Sequence, residues 1–288
     1  MKIDYLCTYN FKAAFRGMRN PLNSWSKSDS YFGDKTNILL KEKLIASRWA
    51  EYFNNKRSDS NKPAIDGEQL ISSYMDLLHI EYLKSPSETI LLGPNDLVLA
   101  QKLIQAGSEH RKFLRQIIVS FDLTAPLYFW KEFDTYKVGT VANSTSTMHK
   151  LASTPITLDC FEIGDYEPGL IYLEGVDETG DYPFDYHSCV SDLVETNGLN
   201  SYSEPTIIQF LEELRLKYLE TKDKAYWKEL IRWLPESWLQ TRTILMNYEN
   251  VHNIIHQRQN HKLSEWDWLI NQFKNLPYAE MLLFLKEK

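Results

Sequence analysis

Long apolar runs are missing from this 288-residue chain. No stretch has the ~20 consecutive apolar residues that a membrane-spanning helix needs. A signal-peptide pattern is missing too: the start, MKIDYLCTYNFKAAFRG, carries Asp4 and has no apolar block. Cysteine is scarce. Cys7, Cys160 and Cys189 are an odd number at wide spacing. That excludes a disulfide framework and a paired-cysteine metal site, and it makes a reducing cytoplasm the expected compartment. GxGxxG, the P-loop motif, HExxH and GxSxG are all absent. Ordinary dinucleotide-binding domains, P-loop enzymes, zincins and hydrolases with a nucleophile elbow are therefore unsupported.

Lysine and arginine are absent from Leu151 to Pro205, which holds 12 of the 39 acidic residues and leaves 27 acids against 32 bases elsewhere. The net charge of −7 thus belongs to one segment. The remainder is mildly basic, which suits an anionic small ligand and is too weak for a nucleic-acid track. The same segment carries five of the 11 glycines and reads as hairpins or a long excursion, an acidic insertion at about 152–204 in a single domain. Its Asp177, Asp181 and Asp185 lack the ordered ligand spacing of a calcium loop.

What is present is enough for a sizeable core: 43% hydrophobic residues, with 8 Trp and 17 Tyr. Residues 1–33 read as strand-like, then irregular. RGMRNPLNSWSKSD, from Arg16 to Asp29, is either an ordered surface loop or one that lends Arg16 or Arg19 to an anion. Asp34 is placed to cap a helix reaching about Asn54, with Leu40, Leu44, Ile45, Trp49 and Tyr52 along one side. A second helix carries Leu70, Tyr74, Leu77, Leu78 and Tyr82, with Pro86 ending it. A third starts after Asn95 and closes at Gly107. LRQIIVSFDLT, residues 114–124, alternates Val119, Phe121 and Leu123 with Ser120, Asp122 and Thr124, which is a strand with one buried face. His110, Arg111, Lys112 and Arg115 just before it form a basic cluster, either solvated or lining a pocket. From Thr206 onward the pattern is helical: IIQFLEELRLKYLE, AYWKELIRWLP, ESWLQTRTILMNYENVHNIIHQRQ, and SEWDWLINQF with Ser264 as its cap.

Two stretches carry candidate chemistry. The first is TAPLYFWKEFDTYKVGTVANSTSTMHKL, Thr124 to Leu151. After an Ala-Pro break and an aromatic segment come Tyr136 and Lys137, then Thr140, Asn143, Ser144, Thr145, Ser146 and Thr147. Many donors and acceptors beside one cation suit a polar, anionic small molecule. The plainer alternative is a Ser/Thr-rich loop or helix end. The second stretch crowds Asn247, His252, Asn253, His256, Arg258 and His261 into fifteen residues. His252 and His256, four apart, are spaced to face one metal, but no third ligand is evident. On one continuous helix Asn247 and Arg258, eleven apart, share a face, and Asn253 points elsewhere. Two amides and a guanidinium suit base edges and phosphates.

Taken together, these stretches resemble the flavin-dependent thymidylate synthases. The parts fall in the same order from about Ala13 to the C-terminus: strand, Ala-Pro, aromatic segment, basic signature, Ser/Thr/Asn run, then Leu234-Pro235, Thr241-Arg242 and a helix with Asn, Asn and Arg. The resemblance places the family's flavin-contacting amides on Asn247 and Asn253 and its substrate-activating arginine on Arg258. The family's Arg-His-Arg signature falls on Thr135, Tyr136 and Lys137, where only Lys137 keeps a charge. Its serines fall near Thr140 and on Thr145 or Ser146, and its closing arginine is replaced by Thr147 or Met148.

The resemblance implies an α+β fold of the thymidylate-synthase-complementing type, a twisted central sheet flanked by helices. It also implies a homotetramer and a dUMP-like pyrimidine nucleotide as substrate. FAD would be the cofactor, with methylene-tetrahydrofolate and NADPH as co-substrates. Lys137, Thr140, Asn143, Thr145, Ser146 and Arg258 would bind the nucleotide. His110, Tyr136, Lys137, Asn247 and Asn253 would bind the flavin. Neither nucleic acid nor membrane is an expected partner. Two alternatives stay open: a non-catalytic nucleotide binder of the same fold, and a metal-dependent enzyme using His252 and His256.

Overall fold

The computed structural model describes residues 1–34, 36–58, 67–84, 89–162 and 206–286. Most of the acidic segment, with Asp177, Asp181 and Asp185, lies outside the described residues, as does Pro86. The fold mixes helices and sheet. Four strands hydrogen-bond in the order β1-β4-β6-β5: β1 is Lys2–Tyr9, β4 Ile118–Pro126, β5 Val141–Ser144 and β6 Leu239–Asn247. A separate antiparallel pair joins β2 (Tyr31–Gly33) to β3 (Thr89–Leu91), with Phe32 opposite Ile90.

The chain forms two compact units. One comprises Met1–Lys2, Leu123–Thr135 and Asn143–Arg242; the other comprises Ile3–Asp122, Tyr136–Ala142 and Thr243–Lys288.

In the larger unit the core is aromatic. Helix α1, Phe11–Met18, was not legible as a helix, because residues 1–33 read as a strand followed by irregular chain. Its buried residues are Phe11, Ala14, Phe15 and Met18, an i, i+3, i+4, i+7 stripe that begins right after Asn10 turns through a left-handed conformation (φ 72°). Phe11 meets Tyr248 edge-on at 5.3 Å, and Phe15 meets Phe113 at 5.8 Å. Helix α2 runs Ile38–Ser58 rather than from Asp34. The Asp34 carboxylate accepts from the backbone N–H of Thr36, so it closes a turn. Ile45 and Trp49 are buried as expected, whereas Leu40 and Leu44 are exposed. The buried face instead uses Ala46 and Ala50. Helix α3 (Gly67–Leu83) follows, then α4 (Pro94–Gln105).

The N-cap of α4 is Gly93, not Asn95. The Asp29 carboxylate accepts from the N–H groups of Asn95 (2.9 Å) and Asp96 (3.1 Å), supplying the first turn with acceptors from a distant loop. Gly107 follows the helix with φ 100°, the expected terminating conformation. In that same loop, Arg19 is buried and donates Nε–H to Asp96 Oδ1 at 2.6 Å, while the Arg16 guanidinium lies 5.3 Å from the centre of the exposed Trp25 ring. Arg19 is therefore a structural cation here, the ordered-loop reading of RGMRNPLNSWSKSD.

Residues Lys112–Gln116 form a 3-10 turn, so β4 starts later than expected, at Ile118. Its alternation is as anticipated: Val119, Phe121, Leu123 and Ala125 are buried.

The largest correction concerns ESWLQTRTILMNYENVHNIIHQRQ. Read as one helix, it is a strand and a helix. Gln240, Ile244 and Met246 are buried and Thr243 and Leu245 exposed, the period-2 signature of β6. Asn247 ends that strand and caps the helix that follows.

The smaller unit contains α5 (Leu127–Phe133), α6 (Thr147–Lys150), α7 (Thr206–Thr221) and α8 (Lys224–Arg232). Its core gathers Leu151, Ile156, Phe161, Ile208, Leu211 and Leu230. Arg242 has a place here too. It donates to Asp134 at 2.7 Å and to Gln240 at 3.0 Å, with its guanidinium 4.3 Å from the Trp130 ring centre.

Candidate functional site

The site is built on helix α9, Tyr248–Arg258, in the larger unit. Asn247 sits just before it in an extended conformation (φ −125°, ψ 167°), and its Oδ1 accepts from the Asn250 N–H at 3.0 Å. This satisfies one of the four N–H groups that a helix start leaves unpaired. Asn250, which carries no signal of its own in the sequence, does the second job. Its Nδ2 donates to the Val138 carbonyl at 2.9 Å and to Thr140 Oγ1 at 3.0 Å. Those bonds hold the segment 136–140 against the first turn of the helix. Gly139, at φ 73°, makes the approach possible: a Cβ there would lie 2.8 Å from Asn247 Nδ2.

The same segment reaches the last turn of α9. Arg258 donates Nε–H to the Tyr136 hydroxyl at 3.0 Å, and that hydroxyl donates to Gln257 Oε1 at 3.2 Å. Helix α10, Ser264–Phe273, supplies Trp266, whose ring centre lies 4.7 Å from the Arg258 guanidinium carbon. The Tyr136 ring meets Trp266 edge-on at 5.8 Å. His261 completes the group, with Nε2 3.1 Å from Arg258 Nη1. Arg258 is thus aimed by two aromatic rings and a phenol, a geometry in which a guanidinium loses little further freedom on binding a ligand. The structure brings Tyr136, Thr140, Asn247 and Arg258 together along one helix. Lys137 lies in the same segment, and its ammonium is exposed and pairs with nothing among the described residues.

Asn253 has different surroundings. Its Oδ1 accepts from Arg111 Nη2 at 3.2 Å. Arg111 is buried, and its Nε contacts Glu249 at 3.4 Å; Arg115 donates to the same carboxylate. His110, the residue singled out from this basic cluster, is exposed, and its neighbour Arg111 is the one that joins α9. The sequence signal for Arg111 was the cluster itself. Its partner lies 138 residues away and carried no signal.

A cavity of about 430 Å³ opens on this face, lined by Arg111, His252, Asn253, His256, Gln257 and Lys286. The His252 and His256 rings lie with centres 4.2 Å apart, tilted by 56°. Each Nε2 contacts a backbone carbonyl, Leu285 at 3.0 Å and Leu283 at 3.1 Å, so the pair ties down the chain after α11, Ala279–Leu282. Among the described residues no three His, Cys, Asp or Glu side chains group as a metal site.

Burial holds the His256 imidazole below its ordinary value of 6.5, opposed by the Leu283 and Leu285 carbonyls and reinforced by Lys286 and Arg111. A depressed basic group takes up its proton first in the unfolded chain. Its stabilising effect is therefore full above pH ~6.5 and is lost as the pH falls further, until the folded-state value is passed. Urea midpoints measured at pH 7 and pH 5 should fall less in His256→Gln than in the wild type.

Asn143, Thr145 and Ser146 belong to the smaller unit. Thr145 is spent on structure: its N–H and Oγ1 donate to the Thr241 carbonyl at 2.9 and 3.2 Å. The Ser146 carbonyl accepts from Lys150 N at 3.0 Å in the first turn of α6. Asn143 is exposed on β5. Among the described residues no helix is long and apolar enough to cross a membrane.

No protein-family model and no curated protein matches this sequence. Solved structures do match in fold. The flavin-dependent thymidylate synthase ThyX from Helicobacter pylori, complexed with FAD and dUMP, is similar over 100% of both chains, with a TM-score of 0.52 and 15% identity. A second structure of ThyX from Helicobacter pylori with FAD and dUMP gives a TM-score of 0.51 at 15% identity, over 99% of this chain and 97% of that one. A UMP/dUMP methylase, PolB from Streptomyces cacaoi bound with 5-Br dUMP, matches at a TM-score of 0.43 and 13% identity, over 67% and 81% of the two chains. At 15% identity the likeness to the two ThyX structures shows a shared fold alone.

Proposed function

We propose that this chain is a divergent flavin-dependent methyltransferase acting on a pyrimidine nucleotide of the dUMP type. The observation that carries the reading is the placement of Arg258, aimed by Tyr136 and Trp266 at the end of a helix whose other end is capped by Asn247. Arg258 binds and polarises the pyrimidine. A guanidinium beside the ring carbonyls favours the form in which negative charge builds up on their oxygens. Lys137 and Thr140 take the phosphate.

The cofactor fits in part. Asn247 and Asn253 spend their amide oxygens within the chain, on Asn250 and Arg111, while their Nδ2 groups donate to nothing among the described residues. Each such donor suits a carbonyl of an isoalloxazine ring, Asn247 beside Gly139 and Asn253 beside Arg111 on a different side of α9. When bound, reduced flavin would supply the one-carbon relay from methylene-tetrahydrofolate and the hydride, with NADPH as reductant. This division of labour agrees with a site that has a polarising cation and no nucleophile–base pair. His110 is the weakest member of the flavin set, because it is exposed. A homotetramer in the cytoplasm belongs to the same proposal.

A second reading has its own support. Only Lys137 remains charged at the three positions where the resembling family carries Arg-His-Arg. Each lost charge-assisted hydrogen bond costs about 1.5–3 kcal/mol, so two lost cations weaken flavin retention by at least ~100-fold. On that reading the protein binds a nucleotide and no flavin. The visible absorption spectrum after incubation with FAD and dUMP, followed by gel filtration, separates the two. A flavin band that travels with the protein, and weakens in Asn247→Ala and Asn253→Ala, is the expected result. A protein that emerges colourless at saturating FAD yet still binds dUMP would establish the second reading.

A further inference from the structure

We propose that the cavity among helices α2, α3 and α4 is a second binding site, for a planar heteroaromatic ring carrying an anionic group, the chemistry of a mononucleotide. The cavity measures about 340 Å³, at the lower end of the range for small-molecule sites. It shares no lining residue with either face of α9.

Three of its wall rings are nearly parallel, with Tyr52 edge-on to Trp49 and Phe53 at 6.0 and 5.4 Å. Trp49 and Tyr74 stack at 5.2 Å with 6° between their planes. Phe53 lies 5.8 Å from Trp49 and 5.6 Å from Tyr74, within 23° and 19° of parallel. Rings that share an orientation present a flat ligand with one stacking direction. Trp49 is the fixed member: it is buried, and its Nε1–H donates to the Leu92 carbonyl at 2.9 Å. Tyr52, Phe53 and Tyr74 are only half-buried and line the opening.

The polar groups distinguish this cluster from ordinary core packing. The hydroxyls of Tyr52 and Tyr74 make no hydrogen bond among the described residues and stand at the opening as donors within reach of a ligand. Burial also pushes the Tyr74 phenol above its ordinary value, so it stays a donor. Gln101 donates Nε2–H to the Met281 carbonyl at 3.3 Å, and its amide oxygen accepts from nothing among the described residues. That oxygen offers an acceptor to a base edge. The Lys56 ammonium lies 4.8 Å from the Tyr52 ring centre, at the rim where an anionic substituent would emerge. A stacking wall, two phenol donors, one amide acceptor and one cation together specify a flat, hydrogen-bonding, anionic ligand.

The test uses the full chain carrying Arg258→Ala, which removes the first proposed nucleotide site. AMP and adenosine are titrated into it by calorimetry, with circular dichroism as a fold check. AMP is expected to bind saturably with a Kd below about 1 mM. Adding Lys56→Gln should weaken AMP by about tenfold and adenosine by less than about twofold. Adding Tyr74→Leu should weaken both. Absence of saturable AMP binding by a folded protein would overturn the proposal. So would AMP affinity that both added substitutions leave unchanged, since the ligand would then sit elsewhere.

Discussion

Arg258→Ala is expected to lower dUMP affinity by at least ~100-fold while leaving the far-ultraviolet circular dichroism unchanged, because the side chain hydrogen-bonds only half-buried groups and merely covers one face of the Trp266 ring, which stays packed without it. Arg258 is half-buried, and its hydrogen-bond partners Tyr136 and His261 are half-buried too, while the Trp266 ring beneath it is buried. Its loss frees the Tyr136 hydroxyl toward solvent and leaves no buried charge behind, so the stability cost is small. The binding cost is large because a planar fork held by two rings makes paired hydrogen bonds at little entropic expense. Arg258→Lys discriminates further. It keeps the charge and removes the fork, so affinity should recover only partly. Unchanged dUMP binding in the alanine variant would remove Arg258 from the site and with it the proposed function.

How far this site could be read in advance depends on sequence distance. The segment 136–140 and the helix ending at Arg258 were each conspicuous, since hydroxyl, amide and guanidinium groups are concentrated there. Their contact was not legible from spacing: Tyr136 and Arg258 are separated by 122 residues. The family resemblance assigned the two stretches to flavin and nucleotide without placing Tyr136 against Arg258. The pairing of Arg111 with Glu249 and Asn253 was no more legible, because each partner alone looks like an ordinary surface residue. Asn250 was overlooked for a different reason. Its role depends on Asn247 being a cap, and Asn247 becomes a cap only once β6 is known to be a strand.

Leu239–Asn247 alternates buried and exposed residues, which is a strand pattern, but it runs directly into Tyr248–Arg258 with its helical periodicity. Leu, Gln and Met favour helices locally, and tertiary pairing with the sheet overrides that preference. The missing α1 reflects a similar competition. Eight residues are few for a helix to stand on its own, and its stripe of Phe11, Ala14, Phe15 and Met18 is stable only because the core receives it. Exposure of Leu40 and Leu44 marks the limit in the other direction: spacing placed them on the α2 stripe, yet Ala46 and Ala50 take the buried positions.

Asp96→Ala should be the most destabilising single change outside the aromatic core, costing about 3–5 kcal/mol. Asp96 is fully buried, and Arg19 is 4% exposed. One carboxylate accepts from Arg19 Nε at 2.6 Å, Ser28 Oγ at 2.7 Å, Ser30 N at 3.2 Å and Asp29 N at 3.3 Å. Removing it strands a buried guanidinium and two backbone N–H groups at once, and each loses its acceptor without gaining water. The loop that caps the start of α4 then loses its anchor, because Asp29 is held there by the same carboxylate. Thermal unfolding is the direct measurement, with a fall in Tm of many degrees expected and Asp96→Asn intermediate. Asn keeps an acceptor for the backbone N–H groups but leaves Arg19 without a counter-charge. The variant also decides between two roles for Arg19. If Arg19 serves only the fold, dUMP affinity measured below the new Tm stays at the wild-type value. If Arg19 instead reaches an anionic ligand, freeing it from Asp96 should raise that affinity, and the structural assignment of Arg19 fails.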